Sequence, residues 1–246
     1  MKRTLTIFSV AAMACSLVVM PLSAQTFMTD FGRAVSNLFA PKIEGNGNVQ
    51  RQTRDFASFH TVRVDAPFGV DIDCVESGQP SVFVQADDNI LPLISTTLQN
   101  GVLTVSLDKE VNANGLKSKH LKVVVSAPAA DKIELLGAGS IQVTNIYRPN
   151  CTLELTGVGS IEAAGKTENL AIEAHGVGSI SAKHVRAQNA RVESHGIGST
   201  SVFASNSLDI DISGIGNLTY YGNPQFVRKS AGGIGSVSKG SSNFQP

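Results

Sequence analysis

The segment Ile172-Glu-Ala-His-Gly-Val-Gly-Ser-Ile180 contains the motif that decides the fold of this chain. The motif Gly-x-Gly-(Ser/Asn)-x occurs six times in the second half of the sequence, at intervals of 20, 19, 20, 18 and 19 residues. A period near 19 is shorter than a helical hairpin repeat and longer than one strand, so it predicts solenoid coils of two or three short strands. The glycines of the six copies are Gly137 and Gly139, Gly157 and Gly159, Gly176 and Gly178, Gly196 and Gly198, Gly214 and Gly216, and Gly233 and Gly235.

Alignment of the six copies on their first glycine gives three apolar columns. We expect all three to face the interior, where each coil packs on its neighbours about 4.8 Å away. The first column, four residues before the glycine, consists of Ile133, Leu153, Ile172, Val192 and Ile210, with Lys229 in the sixth copy. The second, directly after it, consists of Ala138, Val158, Val177, Ile197, Ile215 and Ile234. The third, four residues after it, consists of Ile141, Ile161, Ile180, Thr200, Leu218 and Val237.

The glycines themselves are interpreted as structural. Tight turns between strands require backbone conformations with positive φ, which only glycine adopts at low cost. A phosphate-binding loop would contain one glycine cluster between a strand and a helix with a lysine nearby, and here the cluster recurs six times without either. Calcium-binding nonapeptide coils have half this period, and acyltransferase coils have an apolar period of six residues.

The first half of the chain, residues 43–130, lacks the motif but contains apolar or alternating runs separated by turn signals such as Gln99-Asn100-Gly101. We interpret these runs as longer, less regular coils of the same domain, since no linker separates the halves. The prediction is an all-β, single-stranded parallel β-helix over residues 43–246, with regular coils over 131–240. The runs are Phe59 to Val64, Val70 to Val75, Ser81 to Gln85, Val102 to Leu107 and Leu121 to Val125.

The N-terminus predicts export. Residues 1–24 combine a basic start, an apolar run and a small-residue site, which is typical of a signal peptide cleaved after Ala24. We expect no membrane span after cleavage.

The mature chain has 18 basic and 20 acidic residues and no basic stripe, so nucleic acid is not an expected partner. In residues 25–42, Phe27, Phe31, Val35, Leu38 and Phe39 have helical spacing, and a helical cap over the open end of the β-helix is favoured over a membrane-surface helix.

Two cysteines, Cys74 and Cys151, remain in the mature chain. Export permits a disulfide bond between them. Both cysteines lie on the apolar side of an alternating pattern, however, so two buried free thiols are the favoured interpretation.

An acidic residue follows the first apolar column in five successive copies. By strand alternation these carboxylates point outward and form a column on one face. Neighbours about 4.8 Å apart repel by about 0.9 kcal/mol even in water, and Lys132 and Arg191, two residues earlier on the same face, would relieve this repulsion in part. A hard cation such as Ca²⁺ is the alternative, and a solvated strand face is favoured. The acidic column consists of Glu134, Glu154, Glu173, Glu193 and Asp211.

Two histidines occupy the same repeat position in adjacent copies. Glu173 with His175, stacked on Glu193 with His195, places two imidazoles and two carboxylates in one patch, which is a pattern that can hold Zn²⁺. The other copies have Leu136, Thr156 and Ser213 at the histidine position, so two exposed stacked histidines are favoured. We therefore expect no cofactor, and a divalent cation at these four residues is the alternative.

Several segments resemble a known family, the head GIN domain of auto-transporter adhesins. The resemblance rests on Ile43-Glu-Gly-Asn-Gly-Asn-Val49, Asp87-Asp-Asn-Ile-Leu91, Gly101-Val-Leu-Thr-Val105 and the glycine coils, and it spans roughly residues 43–240. It implies a right-handed β-helix, secretion by Gram-negative bacteria of the Bacteroidetes type, and adhesion. It supplies no catalytic residues. No membrane-translocating barrel follows in this sequence, so self-transport is not expected.

These observations lead to a functional prediction. We expect an exported, non-enzymatic protein, periplasmic, outer-membrane-associated or extracellular, which binds a glycan or an envelope protein through rigid faces. A polysaccharide lyase or hydrolase of the β-helix type is the alternative, with Lys132 or Arg191 as the base. The absence of long loops that would build a cleft argues against this alternative. A structural module that forms homo-oligomers through its coil ends is a third interpretation.

Overall fold

The computed structural model describes residues 43–75, 77–108 and 116–241. Within these residues the protein consists of strands, with one 3₁₀ turn at Leu91–Leu93, so the predicted all-β class is confirmed. No helix in the described residues is long and apolar enough to cross a membrane. The strands are β1 (Ile43–Glu44), β2 (Val49–Asp55), β3 (Thr61–Asp65), β4 (Gly69–Asp73), β5 (Ser81–Asp87), β6 (Ile94–Gln99), β7 (Val102–Leu107), β8 (Leu116–Lys117), β9 (Lys122–Ser126), β10 (Lys132–Leu135), β11 (Ser140–Leu155), β12 (Val158–Ala174), β13 (Val177–Ser194), β14 (Ile197–Ile212), β15 (Ile215–Tyr221), β16 (Phe226–Ala231) and β17 (Ile234–Lys239).

The regular coils of the second half stack as predicted. Strands β11 to β14 are 16 to 18 residues long, so each forms most of one coil. Neighbouring strands are parallel, and equivalent repeat positions are in register: Leu153 pairs with Ile172, Ile172 with Val192, and Val192 with Ile210. The last coil is formed by β16, which pairs with β14, and β17, which pairs with β15. The parallel solenoid with one coil per glycine motif is therefore confirmed.

In the first half the coils do not stack in chain order. Strands β3 and β4 lie directly beneath β10 and β11, so the coil over residues 61–73 supports the first regular coil. Strands β7 and β9 pair with the opposite edges of β3 and β4, although they follow them in the chain. The chain thus forms the coil of β3 and β4 first. It then adds β7 and β9 on one edge of that coil, and β10 and β11 on the other.

The prediction of longer parallel coils over residues 43–130 is only partly correct. Strands β2 and β5, β5 and β9, and β6 and β7 are antiparallel pairs. The cause is clearest between β6 and β7, where Asn100 and Gly101 both have positive φ, at 51° and 75°. A two-residue Asn-Gly turn of this kind reverses the chain into a hairpin, so it cannot lead into another coil of the same direction.

Two of the three predicted interior columns form the core. The first column, from Ile133 to Ile210, is fully buried, and so is the third column from Ile141 to Leu218. A further interior column that the alignment did not single out follows the acidic residues, and it contains Leu135, Leu155 and Ile212. Each coil therefore packs apolar side chains directly on those of the next, which is the arrangement that stabilises a solenoid.

The second predicted interior column faces solvent instead, so this prediction is wrong. Val158, Val177, Ile197, Ile215 and Ile234 are 56%, 47%, 52%, 49% and 73% exposed, and Ala138 is exposed as well. The residue lies between the two glycines of the motif, at the corner between two strands. Counting in twos from buried Ile172 or Ile180 places this residue outward, so the error came from treating its apolar side chain as a sign of burial.

The glycines are required mainly because successive backbones lie very close together at this corner. A Cβ atom placed on Gly176 would lie 2.0 Å from the carbonyl oxygen of Gly157 in the coil below, and one on Gly178 would lie 1.8 Å from that of Gly159. Among the motif glycines, positive φ, near 150°, is confined to the second glycine of four copies, Gly159, Gly178, Gly198 and Gly216. The first glycine of each motif is thus explained by close approach and not by the predicted positive φ.

The two cysteines are buried and unbonded, as the alternation favoured. Burial raises the pKa of Cys74 to about 11 and that of Cys151 to about 12. Both thiols therefore remain protonated and pack as small apolar groups. The predicted signal peptide, residues 1–24, and the predicted helical cap, residues 25–42, lie outside the described residues.

Candidate functional site

The acidic column forms on one outer face. Parallel pairing joins Glu134 to Glu154, Glu154 to Glu173, Glu173 to Glu193, and Glu193 to Asp211. Because β-strands in register place equivalent side chains about 4.8 Å apart, the five carboxylates lie one above another, as the repeat spacing predicted. Their repulsion is relieved by bases at both ends of the column.

At the lower end, Lys132 connects two rungs. Its ammonium group lies 2.9 Å from Glu134 Oε1 and 2.8 Å from Glu154 Oε2. Arg63, from the coil beneath, donates from Nε to Glu134 Oε2 at 2.6 Å. Burial alone would raise the pKa of Glu134, but the hydrogen bonds from Arg63 and Lys132 outweigh burial and hold this pKa below its usual value. The predicted role of Lys132 is thus seen, and Arg63 is a second, unpredicted basic partner of Glu134.

At the upper end, charges alternate between coils. Arg191 lies 2.5 Å from Glu193 and 3.8 Å from Asp209, and Arg228 forms a two-pronged ion pair with Asp209. Residues 191, 209 and 228 occupy the same position in successive coils. Their sequence intervals follow the glycine period, so tabulating this position would have shown the alternation of sign. Glu173, between the two groups, forms no ion pair with any described residue.

A pH titration of stability tests the Glu134 network. A carboxyl group whose pKa is lowered by folding contributes stability above its usual pKa of 4.5, and this contribution is lost as the pH falls through the folded-state value. We expect Glu134→Gln to lower the free energy of unfolding at neutral pH by about 1–2 kcal/mol, given that both bases are partly exposed. The variant and the wild type should then converge below pH 4.5.

Urea denaturation at several pH values is the measurement, and Glu173→Gln is the matched control. Glu173 lies in the same column without an ion pair, so its replacement should change the unfolding free energy by less than about 0.5 kcal/mol. Equal effects of the two substitutions at neutral pH would show that the Glu134 ion pairs contribute nothing specific.

The two predicted histidines do stack. The imidazole rings of His175 and His195 have centroids 5.4 Å apart and are nearly parallel, at 15°. His195 Nδ1 also forms a hydrogen bond with Ser213 Oγ in the next coil. No group of three or more His, Cys, Asp or Glu side chains in the described part of the chain is arranged to hold a metal ion. The structure therefore joins the histidines to each other and does not gather Glu173, His175, Glu193 and His195 around one point.

An exposed line of aliphatic side chains runs beside the histidines. We call it the apolar stripe, and it consists of Val158, Val177, Ile197, Ile215 and Ile234, paired in register from β12 to β17. Isolated exposed aliphatic residues are normal, whereas a continuous exposed patch commonly marks an interaction site. The stripe is the surface feature that the sequence analysis placed in the core.

A column of asparagines was missed by the sequence analysis. Asn169 Nδ2 donates to Asn150 Oδ1 at 3.0 Å, Asn189 to Asn169 at 3.0 Å, and Asn206 to Asn189 at 2.9 Å. These residues are 19, 20 and 17 positions apart, so the repeat spacing could have revealed them. With the acidic column and the apolar stripe, they give the solenoid three different outer surfaces that each repeat once per coil.

The fold and these surfaces define a β-solenoid whose outer faces present regular columns of side chains. The family model described as "Putative auto-transporter adhesin, head GIN domain" matches residues 58–224, which is more than half of the chain. The protein belongs to this family, as the resemblance in its sequence indicated. No curated protein shows significant sequence similarity to the chain.

Solved structures share the fold. A "putative adhesin" from Bacteroides fragilis has a TM-score of 0.65 and 20% sequence identity, over 80% of this chain and 99% of that one. A "putative lipid binding protein" from Parabacteroides distasonis has a TM-score of 0.50 and 19% identity, over 81% and 99%. At these identities the likeness establishes the fold alone.

Proposed function

We propose that this protein is an exported, non-enzymatic adhesin-type module that binds a surface glycan or an envelope protein through its outer faces. One observation carries the proposal: the same types of side chain are exposed in register over five successive coils. A surface that repeats at a constant spacing suits an extended or repeating partner, because each coil can make the same contact. Membership of an adhesin family agrees with this role.

The state of the two candidate bases argues against the lyase alternative. A base that takes a sugar proton needs a pKa lowered towards neutrality. Hydrogen bonds to Glu154 and Glu134 instead raise the pKa of Lys132, and the hydrogen bond to Glu193 raises that of Arg191. Both side chains are held as cations in ion pairs, so they serve the stability of the acidic face.

A glycan-array screen of the mature protein, followed by product analysis of every hit, tests this function. We expect binding without any change in the sugar. Unsaturated or shortened products would overturn the non-enzymatic assignment. If the protein bound neither glycans nor isolated cell envelopes, the adhesin-type function itself would be rejected.

Export is tested separately by N-terminal sequencing of the protein isolated from the expressing cell. The signal peptide predicts a mature chain that begins at Gln25. An N-terminus at Met1 or Lys2 would contradict export by this route. Self-assembly through the coil ends is not part of the proposal, because Lys229 and Lys239 occupy interior positions of the last described coil.

A further inference from the structure

The apolar stripe is bordered by bare backbone on both sides. Each of its residues stands between two glycines, for example Val177 between Gly176 and Gly178, so no neighbouring side chain in its own coil shields it. Residues about half exposed in this way repeat over five coils at about 4.8 Å per coil. The result is a narrow aliphatic line about 19 Å long with open strips of backbone beside it.

Beyond each glycine lies a column of residues that can form hydrogen bonds. On one side the column contains Thr156, His175, His195 and Ser213, and on the other Ser160, Ser179, Ser199, Asn217 and Ser236. The structure gives the hydroxyl groups of Ser160, Ser179 and Ser199 no hydrogen bond to any described residue, so they are available to a ligand. An aliphatic line between two hydrogen-bonding columns matches a molecule that has an apolar face and polar edges.

The charge distribution restricts the class of this molecule. The serine column carries no charge. The next column beyond the histidines is the acidic one, where Glu173 and Asp211 carry negative charge without a direct ion pair to a described residue. These carboxylates would repel a polyanion bound along the stripe, such as nucleic acid, a pectin-type glycan or an anionic membrane surface.

We propose that the apolar stripe binds a neutral, extended, β-linked glycan that lies along the solenoid axis with one sugar ring per coil. The C–H face of each pyranose ring would cover one valine or isoleucine, and its hydroxyl groups would reach the two hydrogen-bonding columns. A pyranose unit in an extended β-linked chain advances by close to the spacing of one coil, so successive rings meet equivalent residues. Each contact is weak on its own, and affinity accumulates along the stripe. The inference rests on the proposed function and names its ligand and its binding surface.

The first test varies the length of the glycan. The affinities of neutral cello-oligosaccharides are measured by isothermal titration calorimetry. Affinity should rise with each sugar up to cellopentaose, since the stripe has five residues, and should be the same for cellohexaose. Cello-oligosaccharides of equal length oxidised at C6, which keep the β linkage and carry one carboxylate per ring, should bind at least about tenfold more weakly. Affinity that does not depend on length, or that is equal for both series, would overturn the proposal.

Substitution provides the second test. The double variant Val177→Ser/Ile197→Ser should bind cellopentaose about tenfold more weakly or worse, because two of five apolar contacts are lost. Exposed strand positions tolerate serine at little cost, and an unchanged melting temperature would confirm that the variant is folded. Tyr147→Ser is the matched control, since Tyr147 is an exposed apolar residue outside the stripe, and its affinity should equal that of the wild type.

The remaining outcomes are distinguishable. A glycan hit whose affinity is unchanged in the double variant would leave the proposed function intact and reject the stripe as the binding surface. A wild-type dimer that becomes monomeric in the double variant would show that a second copy covers the stripe. Stripe-dependent binding to phosphatidylcholine vesicles without glycan binding would show that acyl chains are the occupant.

Discussion

Replacement of Gly178 by alanine is expected to lower the free energy of unfolding by about 4 kcal/mol or more, which is enough to unfold many proteins of this size. The added Cβ atom would lie 1.8 Å from the carbonyl oxygen of Gly159 and 2.8 Å from its carbonyl carbon. Both are backbone atoms, so no side chain can rotate away. The φ angle of 148° adds strain of its own, about 1–3 kcal/mol for a residue with a side chain. Relief requires two coils to separate, which breaks their backbone hydrogen bonds.

Substitutions at two other glycines distinguish the effect of the steric contact from that of backbone strain. Gly47 has a positive φ of 87° but no atom within 4 Å of an added Cβ, so Gly47→Ala measures backbone strain alone. Gly232 has neither constraint, and Gly232→Ala should change stability by less than about 0.5 kcal/mol. Urea denaturation followed by circular dichroism gives all three values. If Gly178→Ala were no more destabilising than Gly47→Ala, close packing of the coils would not be the reason for the glycine columns.

The 19-residue period made much of the second half predictable. The period identifies equivalent positions in successive coils, and in a parallel solenoid equivalent positions must lie on top of one another. The columns led by Ile133 and Ile141, the acidic column and the stacked pair His175 and His195 all follow from this rule. The period does not state whether a column faces in or out. For the apolar columns the inward side was inferred from their apolar character, and this fails at Val177, which is exposed at a corner between two glycines.

The first half was less predictable because its partners are distant in the chain. Whether β10 stacks on β9, its predecessor, or on β3 depends on the antiparallel strands that intervene, and no local pattern determines this. For the same reason Arg63 could not be assigned to Glu134, which lies 71 residues away in a coil of a different repeat type. The Asn169 column, by contrast, was missed although its spacing was available, since asparagine alone suggests turns before it suggests a column.

In the last described coil, lysines occupy two positions that belong to interior columns in the preceding coils. Lys229 pairs in register with Ile210, which is fully buried, and Lys239 pairs with Tyr220. The ammonium group of Lys229 lies 4.8 Å from the centroid of the Tyr220 ring, and that of Lys239 donates a hydrogen bond to Asn223 at 3.0 Å. Both lysines thus lie over the end of the core. Charged residues at interior positions of edge strands prevent a further strand from adding, because its arrival would bury the charge.

Removal of these charges is therefore expected to convert the end of the solenoid into an adhesive edge. In Lys229→Ile/Lys239→Val the last coil would continue the apolar columns, while β16 and β17 each still pair with one described strand only. Sedimentation velocity should then show larger species that increase with protein concentration, whereas the wild type should keep one size.

The matched control is Arg228→Ile, which removes a charge and adds an aliphatic side chain on the outward side of β16 beside Asp209. Because an outward residue does not extend the core, the control should sediment as the wild type does. A double variant that also keeps one size would show that the end of the solenoid is protected by some feature other than its lysines.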